Sequence, residues 1–140
     1  ECGQVSLLFE DLLERCCQPY LNSDEQLDMS GPEILIKPQA AMCLSLICNE
    51  LANNSRKHGA LTRVSGTIRV EWSCVDGFMH WRWSESGGPP VASERSESFG
   101  MQMLTSLIPY ELDGRSEVHF LPEGIVFEST IPIESITRQS

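Results

Sequence analysis

The sequence predicts an α/β two-layer sandwich: a mixed, mainly antiparallel sheet with helices packed on one face. Three observations carry that expectation. Thr67–Cys74 and Phe78–Glu85 each alternate apolar and polar residues around Asp76-Gly77, the signature of a β-hairpin. The stretch from Pro38 to His58 carries an apolar stripe, Ala41, Leu44, Cys48 and Leu51, at helical spacing. The remaining elements follow the order helix, two short strands, long helix, hairpin, loop, helix, hairpin, which places helices between strand groups.

The first helix is expected over Val5–Cys17, where Val5, Leu8, Phe9, Leu12, Leu13 and Cys16 share a face opposite Glu10, Asp11, Glu14 and Arg15. Such a stripe at a chain end needs a partner. Gln26–Met29 and Glu33–Ile36 read as short strands, with Ser30-Gly31-Pro32 as a turn between them. Pro38 suits the start of the long helix, and Gly59 suits its stop. In the hairpin, Ile68, Val70, Trp72 and Cys74 point one way; on the return strand Met79, Trp81 and Trp83 share a face, with Glu85 as the next member. Residues 87–98 have loop composition. A short helix follows over Phe99–Ile108, with Phe99, Met103, Leu104 and Leu107 inward and Ser96 or Ser98 as N-cap. Strands near Ser116–Leu121 and Gly124–Ile133, joined at Pro122-Glu123-Gly124, complete the sheet, and the polar tail is expected to be loose.

The totals narrow the function. A chain of 140 residues with 41% hydrophobic content makes one domain with a real core. The net charge is −10, and the ten Lys and Arg form no basic run, which argues against nucleic acid and acidic membrane surfaces as partners. No run approaches the ~18 apolar residues of a membrane span. The start, Glu1-Cys-Gly-Gln, has no signal-peptide pattern and reads as a cut from a longer chain. Six cysteines include no C-x-x-C, and His58, His80 and His119 are not paired at ligand spacing. Buried free thiols are the reading, with Cys48 and Cys74 on apolar faces, in a reducing cytosol.

Chemistry concentrates in two stretches. At 100° per residue, Asn54, Lys57 and His58 fall within about a quarter turn of Glu50. A carboxylate, a carboxamide, a cation and an imidazole on one flank of a half-buried helix can handle a metal and a phosphate, although such a flank is most often only solvated. Trp81–Pro90 then puts Glu85 at the inward phase of a strand, followed by paired glycines. A carboxylate there either marks the end of the strand or receives a ligand's N–H, because burying it without a donor costs several kcal/mol. The start of the Phe99 helix, with Gly100 allowing close approach, is a weaker candidate for holding a phosphate.

Asn49-Glu-Leu-Ala-Asn-Asn-Ser-Arg-Lys-His-Gly-Ala-Leu61 resembles the N box H-E-L-A-T-N-A-x-K-Y-G-A-L of sensor histidine kinases. Trp83-Ser-Glu-Ser-Gly-Gly-Pro89 is similar to the W-x-E-x-G-G-P motif of the HWE subgroup, and Ser98-Phe-Gly100 to its later G-F-G. The chain thus resembles, from Pro19-Tyr20 to Pro132, the ATP-binding catalytic domain of an HWE-subgroup sensor histidine kinase, in the Bergerat (GHKL) fold. The resemblance implies ATP and Mg²⁺ as cofactors. It implies that Asn54 binds Mg²⁺, Lys57 reaches a phosphate, His58 lies beside the adenine and Glu85 accepts the adenine's exocyclic N–H. Gly87 and Gly88 would let the backbone approach the base, Ser98 and Gly100 would lie at the phosphate-side helix start, and Glu50 would polarise the attacking histidine. Three positions depart from the pattern: Asn49 replaces the lead histidine, Ser55 an alanine and Ser98 a glycine.

The same resemblance implies a domain plan. Residues 1–18 would end a dimerisation and phosphoacceptor hairpin, 19–134 would form the ATP-binding domain, and 135–140 a loose tail. The implied partners are the protein's own phosphoacceptor hairpin, in cis or trans, and a response regulator, in a cytoplasmic protein that dimerises at full length. Two other readings compete: a degenerate docking module that does not turn over ATP, and a Bergerat-fold kinase or ATPase with another output.

Overall fold

The computed structural model describes residues 7–89 and 99–137. A five-stranded sheet carries the expected sandwich. Its strands are β2 (Leu27–Ser30), β4 (Thr67–Val75), β5 (Phe78–Ser86), β6 (Arg115–Leu121) and β7 (Gly124–Pro132), in the spatial order β2-β4-β5-β7-β6. β2 runs parallel to β4 and every other pairing is antiparallel, so the sheet is mixed as expected. A parallel neighbour needs a crossover, and the long helix α2 (Pro38–His58) lies between β2 and β4 in the chain.

Alternation decides which face is covered. Ile68, Val70, Trp72, Met79, Trp81, Trp83, Phe127 and Ile131 are buried against helices α1 (Phe9–Cys17), α2 and α3 (Phe99–Leu112). The opposite face is polar and wet. There Arg69 sits 3.7 Å from Asp28 and 3.4 Å from Glu71, and Arg82 lies 3.2 Å from Glu128. These exposed pairs contribute little to stability; their effect is to leave one face open to solvent. The β4–β5 turn has positive φ at both Asp76 (53°) and Gly77 (82°), the geometry that matches the twist of a two-residue hairpin.

The structure corrects several expectations. Helix α1 begins at Phe9, because Leu7–Leu8 (β1) pair instead with Leu35–Ile36 (β3) in a small antiparallel sheet. The apolar stripe of α1 is not exposed: Phe9, Leu12, Leu13, Cys16 and Cys17 are all buried in the domain's own core. Phe9 stands edge-on to Trp72 at 5.1 Å and to Trp81 at 5.3 Å, and Trp81 does the same to Phe127 at 5.2 Å. The aromatic spine of the sheet thus needs α1 as its lid, and self-association through that stripe is not expected.

The two short strands flanking Ser30–Pro32 lie in different sheets, β2 beside β4 and β3 beside β1. Gly31 passes directly over the Trp72 indole, whose Nε1–H donates to the Pro32 carbonyl at 2.7 Å. Helix α3 continues through Pro109 to Leu112, held by buried Ile108 and Leu112 and closed by Asp113 at φ 59°. Cys74 is exposed near the hairpin tip, beyond the reach of the helices, whereas Cys16, Cys17, Cys43 and Cys48 are buried. Of the expected loose tail, residues 138–140 lie outside the described residues, and the part before them is tied down: Ile133–Ile136 form a short helix, α4, with Ile136 fully buried, and the Ile136 carbonyl accepts from Lys37 N–H at 2.7 Å. No helix among the described residues is long and apolar enough to cross a membrane.

Phe9→Ala should lower unfolding free energy by about 3–5 kcal/mol, the range for removing a buried phenylalanine. Urea denaturation followed by tryptophan fluorescence measures it, and a loss under about 1 kcal/mol would show that α1 is not a core element.

Candidate functional site

The last turns of α2 are buried on one side and polar on the other. Leu51, Ala52 and Ser55 face the core, while Arg56, Lys57 and His58 are exposed. On the polar flank Glu50 is half-buried and Asn54 is only 7% exposed, so the carboxamide sits at the margin of the core. Residues 50, 54, 57 and 58 share that flank because all four lie in one uninterrupted helix, which ends where Gly59 N–H bonds the Ser55 carbonyl at 2.9 Å.

Glu85 meets the same helix end. Its carboxylate is 6% exposed, as the inward phase of β5 requires. Oε1 accepts the backbone N–H of Ala60 at 3.1 Å and Oε2 accepts the Trp83 indole N–H at 3.0 Å. The strand continues through it to Ser86, so protein donors offset its burial. Three glycines make this joint compact. Gly59 has no side chain because the Glu85 carboxylate fills that space. A Cβ on Gly88 would lie 2.8 Å from the Ala60 backbone nitrogen, and Gly87 has φ 81° with Ser65 and Gly66 close by. Both glycines expected to approach a ligand thus also have a packing reason.

Further contacts hold the corner after α2. Ser55 Oγ accepts Leu61 N–H at 3.2 Å, and Arg56 donates to the Leu61 carbonyl at 3.1 Å and to Asn22 Oδ1 at 3.0 Å. Gln26, 2% exposed, donates to the carbonyls of Arg63 (2.8 Å) and Gly66 (2.9 Å) and accepts Asn22 N–H at 2.7 Å. Sequence reading missed Gln26 and Ala60. Ala60 acts through its backbone, and Gln26 sits in a polar run that gives no sign of burial. Of the remaining candidates, Gly100 lies in the first turn of α3 and Ser98 lies outside the described residues.

No family model matches the chain. It is 34% identical over 137 residues to blue-light-activated histidine kinase 1 of Erythrobacter litoralis, covering 95% of this chain and 38% of that protein. It is 34% identical over 108 residues to a blue-light-activated histidine kinase of Brucella anthropi, covering 74% of this chain and 22% of that one. Among solved structures, a blue-light activated histidine kinase of Erythrobacter litoralis superposes with a TM-score of 0.73 at 14% identity, over 89% of this chain and 40% of that one. The mycobacterial sensor histidine kinase MprB gives 0.67 at 10% identity, over 96% of this chain and all of that one. By family, this chain belongs to the histidine kinases, and its fold is that of their catalytic domains. It spans well under half the length of the curated relatives it matches.

Two of this histidine kinase chain's departures from the N-box pattern now have a setting. Ser55, where the pattern has alanine, is fully buried and its hydroxyl takes the Leu61 N–H. Asn49, in place of the lead histidine, is exposed on α2. The domain also has an open cleft of about 920 Å³ lined by Lys37, Gln39, Tyr110, Glu111 and Glu134. That cleft lies at the start of α2, roughly 24 Å along the helix from Asn54 at 1.5 Å per residue, so it is separate from the polar flank.

Glu85→Ala should cost about 2–3 kcal/mol, because it leaves the Ala60 N–H and the Trp83 indole N–H without their buried acceptor. Chemical denaturation reads this directly; an unchanged midpoint would mean that the carboxylate does not hold the joint.

Proposed function

We propose that this domain binds ATP with Mg²⁺ and is the catalytic domain of a two-component sensor histidine kinase of the HWE subgroup. It transfers the γ-phosphoryl group to a histidine on a hairpin domain outside this chain. The observation that supports the reading is the joint at the end of α2, where Gly59 and Ala60 meet Glu85 and Gly88, on the helix that carries Glu50, Asn54, Lys57 and His58. The donor set fits the cofactors. The Asn54 carboxamide oxygen is a hard ligand of the kind Mg²⁺ takes, and Lys57 is an exposed cation on the same flank for a phosphate. A carboxylate accepts hydrogen bonds as readily from a ligand as from protein, and Glu85 already takes the Ala60 and Trp83 N–H groups at the joint.

His58 would lie beside the base, Ser98 and Gly100 on the phosphate side, and Glu50 beside the attacking histidine as the catalytic carboxylate. Phosphoryl transfer asks mainly for positioning and charge neutralisation, which such a set supplies. The partners are the protein's own hairpin, in cis or trans, and a response regulator, in a cytoplasmic protein dimeric at full length. The histidine kinase ThkA, solved in complex with the response regulator TrrA, matches this chain with a TM-score of 0.65 at 15% identity and supports that partner class. Asn49 favours a second reading, a docking module without turnover.

Calorimetric titration with a non-hydrolysable ATP analogue and Mg²⁺ should give micromolar-range binding, weakened about tenfold or more (about 1.4 kcal/mol) by Asn54→Ala and by Glu85→Gln. Thermal melts confirm that each variant is folded. No binding to the unaltered domain would favour the docking module. Binding without phosphorylation of a supplied acceptor hairpin would remove the kinase assignment and keep the nucleotide site.

A further inference from the structure

The nucleotide reading leaves the open face of the sheet unused. There β6 is the edge strand and β7 its neighbour. Glu117 and His119 stand two residues apart on β6, so both side chains leave the same face. Both are exposed, as is Glu128 on β7, which pairs in register with Glu117. His119 Nε2 lies 3.3 Å from Glu117 Oε1 and 3.6 Å from Glu128 Oε1. One ligand atom from each of the three residues falls within 4.8 Å of the other two.

We infer that Glu117, His119 and Glu128 form a site for a zinc ion, which clamps the edge strand to its neighbour. The spacing fits. Tetrahedral ligands bound to zinc at about 2.0–2.2 Å stand roughly 3.3–3.6 Å from one another. Both separations from His119 match that edge, and the two exposed glutamates can close the remaining one without disturbing the core.

Charge asks for a cation as well, because like charges directly opposite on adjacent strands repel. Arg82, the partner of Glu128 on β5, takes Glu128 Oε2 at 3.2 Å and leaves Oε1 turned towards His119. It thereby orients Glu128, as the outer groups of a metal site orient its ligands. Donor chemistry selects the ion: a neutral imidazole suits zinc, whereas Mg²⁺ takes oxygen ligands. Three protein ligands leave a fourth position for water. Sequence spacing alone hides the set, since Glu128 comes from the next strand. The site lies on the face of the sheet away from the helices, and the inference does not depend on nucleotide binding.

The test is calorimetric titration of zinc chloride into the folded, metal-stripped domain, with accessible thiols alkylated and excess Mg²⁺ present. It is run at about pH 7.5, where an ordinary imidazole is neutral. A single equivalent should bind, and the thermal midpoint should rise with zinc. His119→Ala and Glu117→Gln, checked for folding by circular dichroism, should each weaken binding about tenfold or more and remove the thermal shift. No zinc binding to the unaltered domain would overturn the inference and leave His119 as an ion-pair partner of the two glutamates. Zinc binding that survives both substitutions would overturn it too, by placing the ion elsewhere.

Discussion

One buried carboxylate fixes the relation between sheet and helix on which the polar flank depends. Glu85 lies on the core face of β5, in line with Met79, Trp81 and Trp83, where an ionised group has no business without donors. It finds one in its own strand and one at Ala60, just beyond the end of α2. The second contact matters more for architecture. Ala60 opens the short 3-10 turn Ala60–Thr62 that follows α2; the first N–H groups of a helical turn lack helical partners, and here a strand side chain accepts one of them. The end of β5 and the end of α2 thus meet at a point, and Gly59 and Gly88 are small so that they can.

That joint would be loose if the chain beyond it were free. The segment from Ala60 to Gly66 is short and irregular, and its carbonyls must find donors. Gln26 and Arg56 provide them from different elements, and Ser55 receives the Leu61 N–H from below. The polar flank of α2 is therefore presented by a helix anchored at both ends, through Lys37 to the Ile136 carbonyl at its start and through this corner at its finish. Binding sites gain from such support because less ordering is left to do when a ligand arrives.

How far the sequence discloses this depends on whether a residue acts through pattern or through place. The hairpin around Asp76-Gly77 and the helix from Pro38 to His58 were legible because periodicity and turn chemistry are local. The phase of Glu85 was legible for the same reason, and correctly posed the question of its donor. The answer, Ala60 N–H, was not legible, since any residue other than proline presents that group. The amphipathic pattern of α1 was clear, but its partner was not: the stripe that reads as in need of a partner covers Trp72 and Trp81 through Phe9. Pattern shows that a face will be buried, and only tertiary structure shows against what. At Ser30–Pro32 the turn composition was legible, but the reason Gly31 must be small, its passage over the Trp72 ring, was not.

Helix α2 does two jobs along its length, and this decides how its residues can be interrogated. Cys43, Leu44, Ile47, Cys48 and Leu51 tie it into the core, while the next two turns carry the polar flank. Asn54 is nearly as buried as its neighbour Ser55, so a change there moves packing together with any ligand contact. Lys57 is exposed, and removing its charge leaves the core untouched. A loss of affinity at Asn54 must accordingly be read beside its stability, whereas a loss at Lys57 reports on the ligand alone. Burial along one helix thus separates residues whose defects are ambiguous from residues whose defects are diagnostic.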